Sequence, residues 1–261
     1  KEEEIHTTVN NFLTTNGNRI LDSDTASYLV KEYKLEAKGN EFAYMRYSSV
    51  TCDPNQFRVS KFNLRQNFYK IPRQTEILIC ITLYDEEPFL VARTLKGVIQ
   101  NIIHLTKLKH SEVWGDESWK KIVVCFVADG RNKVNPKTLA LFSSIGVYQD
   151  GFARGQIGEK KLQAHLYEHT TMLGVQNTDE GDITFVRNPV PVQLLLCLKE
   201  RNKKKINSHR WCFESFADVL NPRVVVLLDA GTQPSRDSLY HLWNSFYMNP
   251  QIGGCCGEIK A

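Results

Sequence analysis

The chain has 261 residues, of which 42% are hydrophobic and 24% charged, with a formal net charge of +4. That is enough polypeptide for one large domain, or a domain with a lobe, around an ample core, and the charge balance is too mild to argue for nucleic acid as a partner. The longest apolar stretches, such as PVPVQLLLCL at 189–198, fall short of the roughly 20 residues that cross a bilayer, and the acidic opening KEEEIHTTVNNF does not read as a signal peptide.

Residues 1–70 lack a strand–helix rhythm and carry turn signals at Asn16-Gly17-Asn18 and Gly39-Asn40, so they read as an accessory lead-in to a larger unit over 71–261. From Ile77 the rhythm is regular. ILICITLYDEE (77–87) predicts a buried strand running through an acidic turn into a helix opened by Pro88, with Val91, Leu95, Val98 and Ile102 on its apolar face. IVVCFVADGR (122–131) predicts a second strand ending at Ala128-Asp129-Gly130, followed by a helix from Pro136 to 145. Segments 162–167 and 183–187 alternate as a strand pair around a polar loop at Thr178-Asp179-Glu180-Gly181, a hairpin inserted in an otherwise parallel plan.

A basic stretch, KERNKKKINSHRW (199–211), then leads a helix to about Leu220, with Ile206, Phe213, Ala217 and Leu220 on the predicted buried face and Asn221-Pro222 as its stop. VVVLLDAGTQP (224–234) predicts a third strand with an acidic end, and a helix from Pro234 held by Leu239, Leu242, Trp243 and Phe246. Repeated strand, acidic turn and helix make an α/β protein with a mixed sheet covered by helices on both faces. The seven cysteines show no paired spacing and read as reduced thiols, and the adjacent Cys255 and Cys256 do not make a zinc knuckle by themselves.

Three carboxylate-bearing turns at the ends of apolar strands point at one shared site, because ligands of open parallel sheets gather at the strands' carboxyl ends. Each turn alone has a simpler reading: Glu86 and Glu87 as first-turn acids on a helix dipole, Asp129-Gly130 as a tight turn. Together they suit a nucleotide and a cation. Tyr84 offers a ring to stack on a base or sugar, Arg131 a permanent positive charge, Gly231 close backbone approach, and Asp229 a hard oxygen for Mg²⁺ or Mn²⁺. The basic stretch is either a solvated helix face or a diphosphate clamp in which Lys204 or Lys205 neutralises a leaving group, and His209 is either a packed histidine or a base. Gly151, Gly155 and Gly158 do not have phosphate-loop spacing.

CITLYDEEP (80–88), FVADGRNKVNP (126–136), KKKINSHRW (203–211), LLDAGTQP (227–234) and CCGEI (255–259), in that order, resemble fungal chitin synthases, inverting family-two glycosyltransferases. EFAYMRYSSVTCDPNQF (41–57) and NLRQ (63–66) are similar to the family's lead-in. The resemblance covers about residue 10 onward and implies a GT-A-like fold, UDP-N-acetylglucosamine as donor and a chitin chain as acceptor. It further implies that Thr82, Tyr84 and Glu86 line a uridine pocket, that Asp129 binds the uracil edge, that Asp229 holds the metal, and that Lys205 is the leading phosphate contact; Arg131 and Gly231 are counted with them as donor-binding residues. The third turn reads Asp-Ala-Gly rather than Asp-X-Asp, so one carboxylate is offered where many relatives offer two.

The family's Glu-Asp-Arg motif with its general base, and its Gln-Arg-Arg-Arg-Trp acceptor motif, do not occur in these residues. The resemblance places them after Ala261 with the membrane-spanning segments, which makes this an incomplete catalytic domain of a homo-oligomeric enzyme at the cytosolic face of the plasma membrane. A soluble transferase of other specificity, with His209 or Glu258 as base, or a UDP-binding module without chemistry, are the alternatives.

Overall fold

A computed structural model describes residues 9–13, 19–29, 40–177 and 181–258. The turn signals at Asn16-Gly17-Asn18 and Gly39, and Thr178-Asp179-Glu180, lie outside the described residues. Ten strands are described: β1 Val9–Leu13, β2 Arg19–Asp24, β3 Tyr44–Val50, β4 Ile77–Leu83, β5 Ile122–Ala128, β6 Gln156–Ile157, β7 Lys160–Lys161, β8 Ala164–Asn177, β9 Ile183–Lys199 and β10 Val224–Asp229. Eight of them form one sheet in the order β1-β2-β3-β8-β9-β5-β4-β10, and β6 and β7 pair separately.

The strands β9, β5, β4 and β10 are mutually parallel, whereas β8 runs antiparallel to β9 and passes the sheet on to β3, β2 and β1. Every residue of β5 is buried, as a continuous apolar run between two covered faces requires. In chain order the sheet grows from β4 to β5 to β9 on one side and then turns back to β10 on the other, so the order reverses between β4 and β10. Crevices for ligands open at such reversals.

One face is covered by α1 (Pro88–Thr106), α2 (Pro136–Ser144) and α5 (Ser238–Met248). Pro88 occupies the first turn of α1, where its missing N–H costs nothing, and Val91, Leu95, Val98, Ile102 and Leu105 form the buried stripe. In α2, Asn135 caps the helix by accepting the Lys137 N–H at 2.9 Å. The last helix begins at Ser238, not at Pro234 as the pattern predicts. Pro234 is instead buried against Gly97 of α1, where an added Cβ would lie 2.8 Å from the proline Cδ. The α5 N-terminus is capped from a neighbouring helix: Asn101 of α1 accepts the Leu239 N–H at 2.9 Å and donates to Ser235 O at 2.6 Å.

The other face is covered by one helical run, α3 (Lys204–Arg210), a π-helical turn (Trp211–Ala217) and α4 (Asp218–Leu220), which ends at Asn221 in the left-handed region as Asn221-Pro222 leads one to expect. The predicted buried face is corrected at two positions. Ile206 is 78% and Phe213 47% exposed, and the packed residues are Trp211, Cys212, Ser215 and Phe216. The π turn, with more residues per turn than a regular helix, rotates the buried stripe away from the regular phase. Phe57 of the lead-in meets this stripe, with its ring 5.9 Å from Phe216 and perpendicular to it.

The hairpin is larger than 162–167 and 183–187, since β8 and β9 have 14 and 17 residues. Nor is it an insertion, because β9 lies within the parallel group. Its carboxyl end, residues 193–198 of the apolar run, pairs with β5. Cys80, Cys125, Cys197 and Cys212 are free and buried, and Cys255 and Cys256 are free and exposed. Among the described residues no helix is long and apolar enough to cross a membrane.

Candidate active site

Parallel register brings four strand ends to one edge of the sheet. Thr82 of β4 lies opposite Asp229 of β10, Leu83 opposite Ala128 of β5, and Ala128 opposite Leu198 of β9. The resulting cleft, about 490 Å³, is lined by Thr82, Leu83, Tyr84, Glu86, Asp129, Asn202, Lys204, Lys205, Ser208, Asp229 and Ala230. A larger hollow of about 620 Å³ lies between the end of α1 and α5, and is lined by Lys107 to Glu112, Tyr240, Trp243, Asn244 and Tyr247. It holds neither Asp129 nor Asp229 and sits away from the reversal in strand order, so the smaller cleft is the candidate site.

At the reversal itself, Thr82 Oγ1 donates to Asp229 Oδ1 at 3.1 Å, and Lys205 Nζ lies 2.6 Å from Oδ1 and 2.8 Å from Oδ2. The Lys205 ammonium, helped by Thr82, holds the Asp229 carboxyl below its usual range against a smaller opposing effect of burial. Tyr84 is 41% exposed, free to offer its ring, and its N–H is taken by Glu86 Oε2. The Glu86 carbonyl is anchored by Thr138 Oγ1 of α2 at 2.8 Å.

Across the cleft, Asp129 is 7% exposed. Its Oδ1 accepts from Lys199 Nζ at 2.6 Å and from the Lys203 N–H at 2.9 Å. Gly130 takes φ +106°, and a Cβ there would meet the Asn202 backbone at 3.0 Å, which explains glycine in this turn. Lys204, also in the left-handed region at φ +65°, bends the chain into α3 and is followed at once by Lys205. A non-glycine residue held in that region at a cleft wall is a local strain that the surrounding structure must sustain.

Of the predicted site residues, Thr82, Tyr84, Glu86, Asp129, Lys205 and Asp229 line the cleft. Gly231 stands just behind it at φ +99°, its N–H bonded to Thr94 Oγ1 of α1 at 2.8 Å. Arg131 points elsewhere: its Nη2 donates to Glu200 at 3.0 Å and its Nη1 to Ala153 O at 3.2 Å. Glu200 also meets His165 Nε2 at 2.8 Å, and His165 Nδ1 meets the Tyr47 hydroxyl at 2.7 Å, so a buried polar chain runs from the lead-in to the turn after Asp129. Burial depresses the basicity of His165, while on Glu200 the His165 and Arg131 donors together outweigh burial and hold its carboxyl low.

Sequence reading missed Lys199, Asn202 and Ser208. The signal was present, because QLLLCLK is a continuous apolar run stopping at a charge, as the three acidic runs are.

Asp229 supplies one carboxylate for a cation, and among the described residues no group of three or more His, Cys, Asp or Glu converges as a metal site. A hard cation takes oxygen ligands, so Asp229 is the residue that would hold a divalent ion here, and the rest of the shell would have to come from other oxygens.

A chitin synthase-like glycosyltransferase domain model matches residues 77–261, and a chitin synthase N-terminal model matches residues 7–76. Chitin synthase 1 of Saccharomyces cerevisiae is 49% identical over 97% of this chain and 23% of its own length. Chitin synthase C of Aspergillus oryzae is 50% identical over 94% of this chain and 27% of its own, and chitin synthase 2 of Candida albicans 48% identical over 94% and 25%. The chain thus spans about a quarter of the length of the curated relatives it matches.

Proposed function

The chain belongs to the chitin synthase family of glycosyltransferases, and from that premise we propose that its cleft is the donor site of a chitin synthase. The donor is UDP-N-acetylglucosamine and the acceptor the 4-hydroxyl of a growing chitin chain. The observation that carries this reading is the meeting of Thr82, Asp129, Lys205 and Asp229 in one cleft at the point where strand order reverses.

Roles follow from chemistry. Asp129 accepts the imino N–H of uracil, Tyr84 stacks on the uridine, and Thr82 and Glu86 bound the same pocket. Lys205, which already pairs with Asp229, offers its ammonium to the diphosphate and stabilises the negative charge that develops as UDP leaves. Asp229 would hold Mg²⁺ or Mn²⁺, which would supply further neutralisation of the leaving group. Arg131 acts indirectly, holding Glu200 and through it the end of β9.

Inversion by in-line attack requires a base, and no Glu-Asp-Arg or Gln-Arg-Arg-Arg-Trp sequence occurs in these 261 residues. Residues 1–261 are therefore expected to bind donor without making polymer. Membrane attachment, homo-oligomerisation and a cytosolic location of the donor site belong to the same proposal.

Calorimetric titration with UDP, with and without Mn²⁺, tests it. Wild type should bind with metal dependence, Asp229→Ala should lose that dependence, and Asp129→Ala should weaken the nucleotide with or without metal. Metal-independent binding that survives both substitutions would remove the assignment.

A further inference from the structure

Lys199, the last residue of β9, is 1% exposed. Lysine is almost never so buried unless it is paired, and a buried pair is seldom retained for stability, since apolar residues of similar volume serve as well or better. All three donors of this ammonium find acceptors: Asp129 Oδ1 at 2.6 Å, Ser208 Oγ of α3 at 3.0 Å and Lys204 O at 3.4 Å.

The shape of the turn after Asp129 does not depend on this ammonium. Backbone bonds fix it, from Asp129 N to Leu83 O at 2.9 Å and from Arg131 N to Lys199 O at 2.7 Å, together with the close contact of Gly130 on Asn202. The ammonium acts on the carboxylate itself, through one of its oxygens. It and the Lys203 N–H both hold Oδ1, while Oδ2 takes no hydrogen bond from the described residues, and Asp129 is part of the cleft wall. An ion-paired carboxylate only accepts hydrogen bonds.

We propose that Lys199 is the positioning residue for base selection: it anchors one oxygen of Asp129 so that the other faces the cleft as a fixed acceptor, which favours a nucleobase carrying an imino N–H, uracil, over cytosine. This deepens the donor-site reading above and rests on it. Cytosine has a lone pair where uracil has that N–H, so a fixed acceptor repels it and leaves its own desolvation unrelieved.

The test is calorimetric titration of wild type, Lys199→Met, Lys199→Arg and Asp129→Ala with UDP and with CDP, each variant first checked for a cooperative melt. Wild type should prefer UDP by tenfold or more. Lys199→Met should lose about ten- to a hundredfold in UDP affinity, the worth of a charge-assisted bond, with little change for CDP. The preference then collapses, and Lys199→Arg restores part of it. If Lys199→Met does not fold, Ser208→Ala, which frees the ammonium from α3, must narrow the preference. A folded Lys199→Met that keeps the wild-type UDP to CDP ratio, even with both weakened, overturns the role of Lys199 alone. A wild type without preference for UDP, or an unchanged ratio in Asp129→Ala, overturns the reading of Asp129 and this inference with it.

Discussion

At Asp229 both carboxylate oxygens face the Lys205 ammonium, and the two side chains are 61% and 55% exposed. So exposed a pair contributes about 0–1 kcal/mol to folding, and the donor-site proposal gives it a role in binding instead. Lys205 stands where a cation would stand, and a diphosphate entering the cleft gives it a second anion to bind. Lys205→Met should therefore leave the melting temperature nearly unchanged and weaken UDP about tenfold or more. Manganese alone, followed by its paramagnetic resonance signal, should bind the variant more tightly than wild type, because no ammonium competes for Asp229. Weaker manganese binding in the variant would contradict this. Asp229 was legible because an apolar run that stops at a carboxylate is visible without a fold, whereas the basic stretch left Lys204 and Lys205 as equals and only the resemblance favoured Lys205. Arg131 was misplaced because adjacency in sequence does not give direction, and past the Gly130 turn its side chain leaves the cleft for Glu200.

Elements owe their positions to a few buried polar groups. Asn101 joins α1 to α5, bonding Gly97 O at 2.9 Å, Ser235 O at 2.6 Å and the Leu239 N–H at 2.9 Å, with no exposure. Asn101→Leu strands the last two and should destabilise by about 2–4 kcal/mol in denaturant titration, with the helix after Asp229 fraying first. A loss under 1 kcal/mol would show that water replaces the cap. On β8, burial pushes the basicity of His169 from 6.5 down to about 3, with Arg65 adding in the same direction. The unfolded chain then binds a proton between those two values that the folded chain refuses, so stability falls as pH drops below 6.5. For this one residue the loss between pH 7.5 and 5.0 is about 2 kcal/mol. His169→Asn should remove that part of the dependence, read from denaturation midpoints at both values. Helix and strand existence was legible from periodicity, but phase was not always: the π turn at Trp211–Ala217 moved Ile206 and Phe213 outward, and no residue type announces such a turn.

Across the whole molecule the lead-in and the unit that carries the cleft share one sheet, although their sequence character changes near residue 70 and the two family models meet at residues 76 and 77. Pairing of β3 with β8 is invisible in the sequence, because it joins residues more than a hundred positions apart. The segment before Ile77 also carries Tyr47, Val50, Phe57, Phe62 and Leu64, all buried, and the Arg73–Glu41 pair at 2.7 Å, whose arginine reaches Gln193 of β9 at 2.8 Å. Burying each such apolar side chain is favourable by about 1.5–3 kcal/mol before the entropy of ordering it is subtracted, so these five are a substantial share of the core. Residues 77–261 by themselves would lose that contribution, uncover Trp211 and Phe216, and expose β8 as an unpaired edge prone to associate. They should be aggregation-prone, bind a dye specific for exposed apolar surface, and show no cooperative melt, whereas residues 1–261 should unfold in a single transition. A monomeric 77–261 with a sharp melt and intact UDP binding would mean that the lead-in rests on a unit already complete. Failure to fold would mean that the strands before Ile77 are part of the scaffold that carries Asp129, through Tyr47, His165, Glu200 and Arg131.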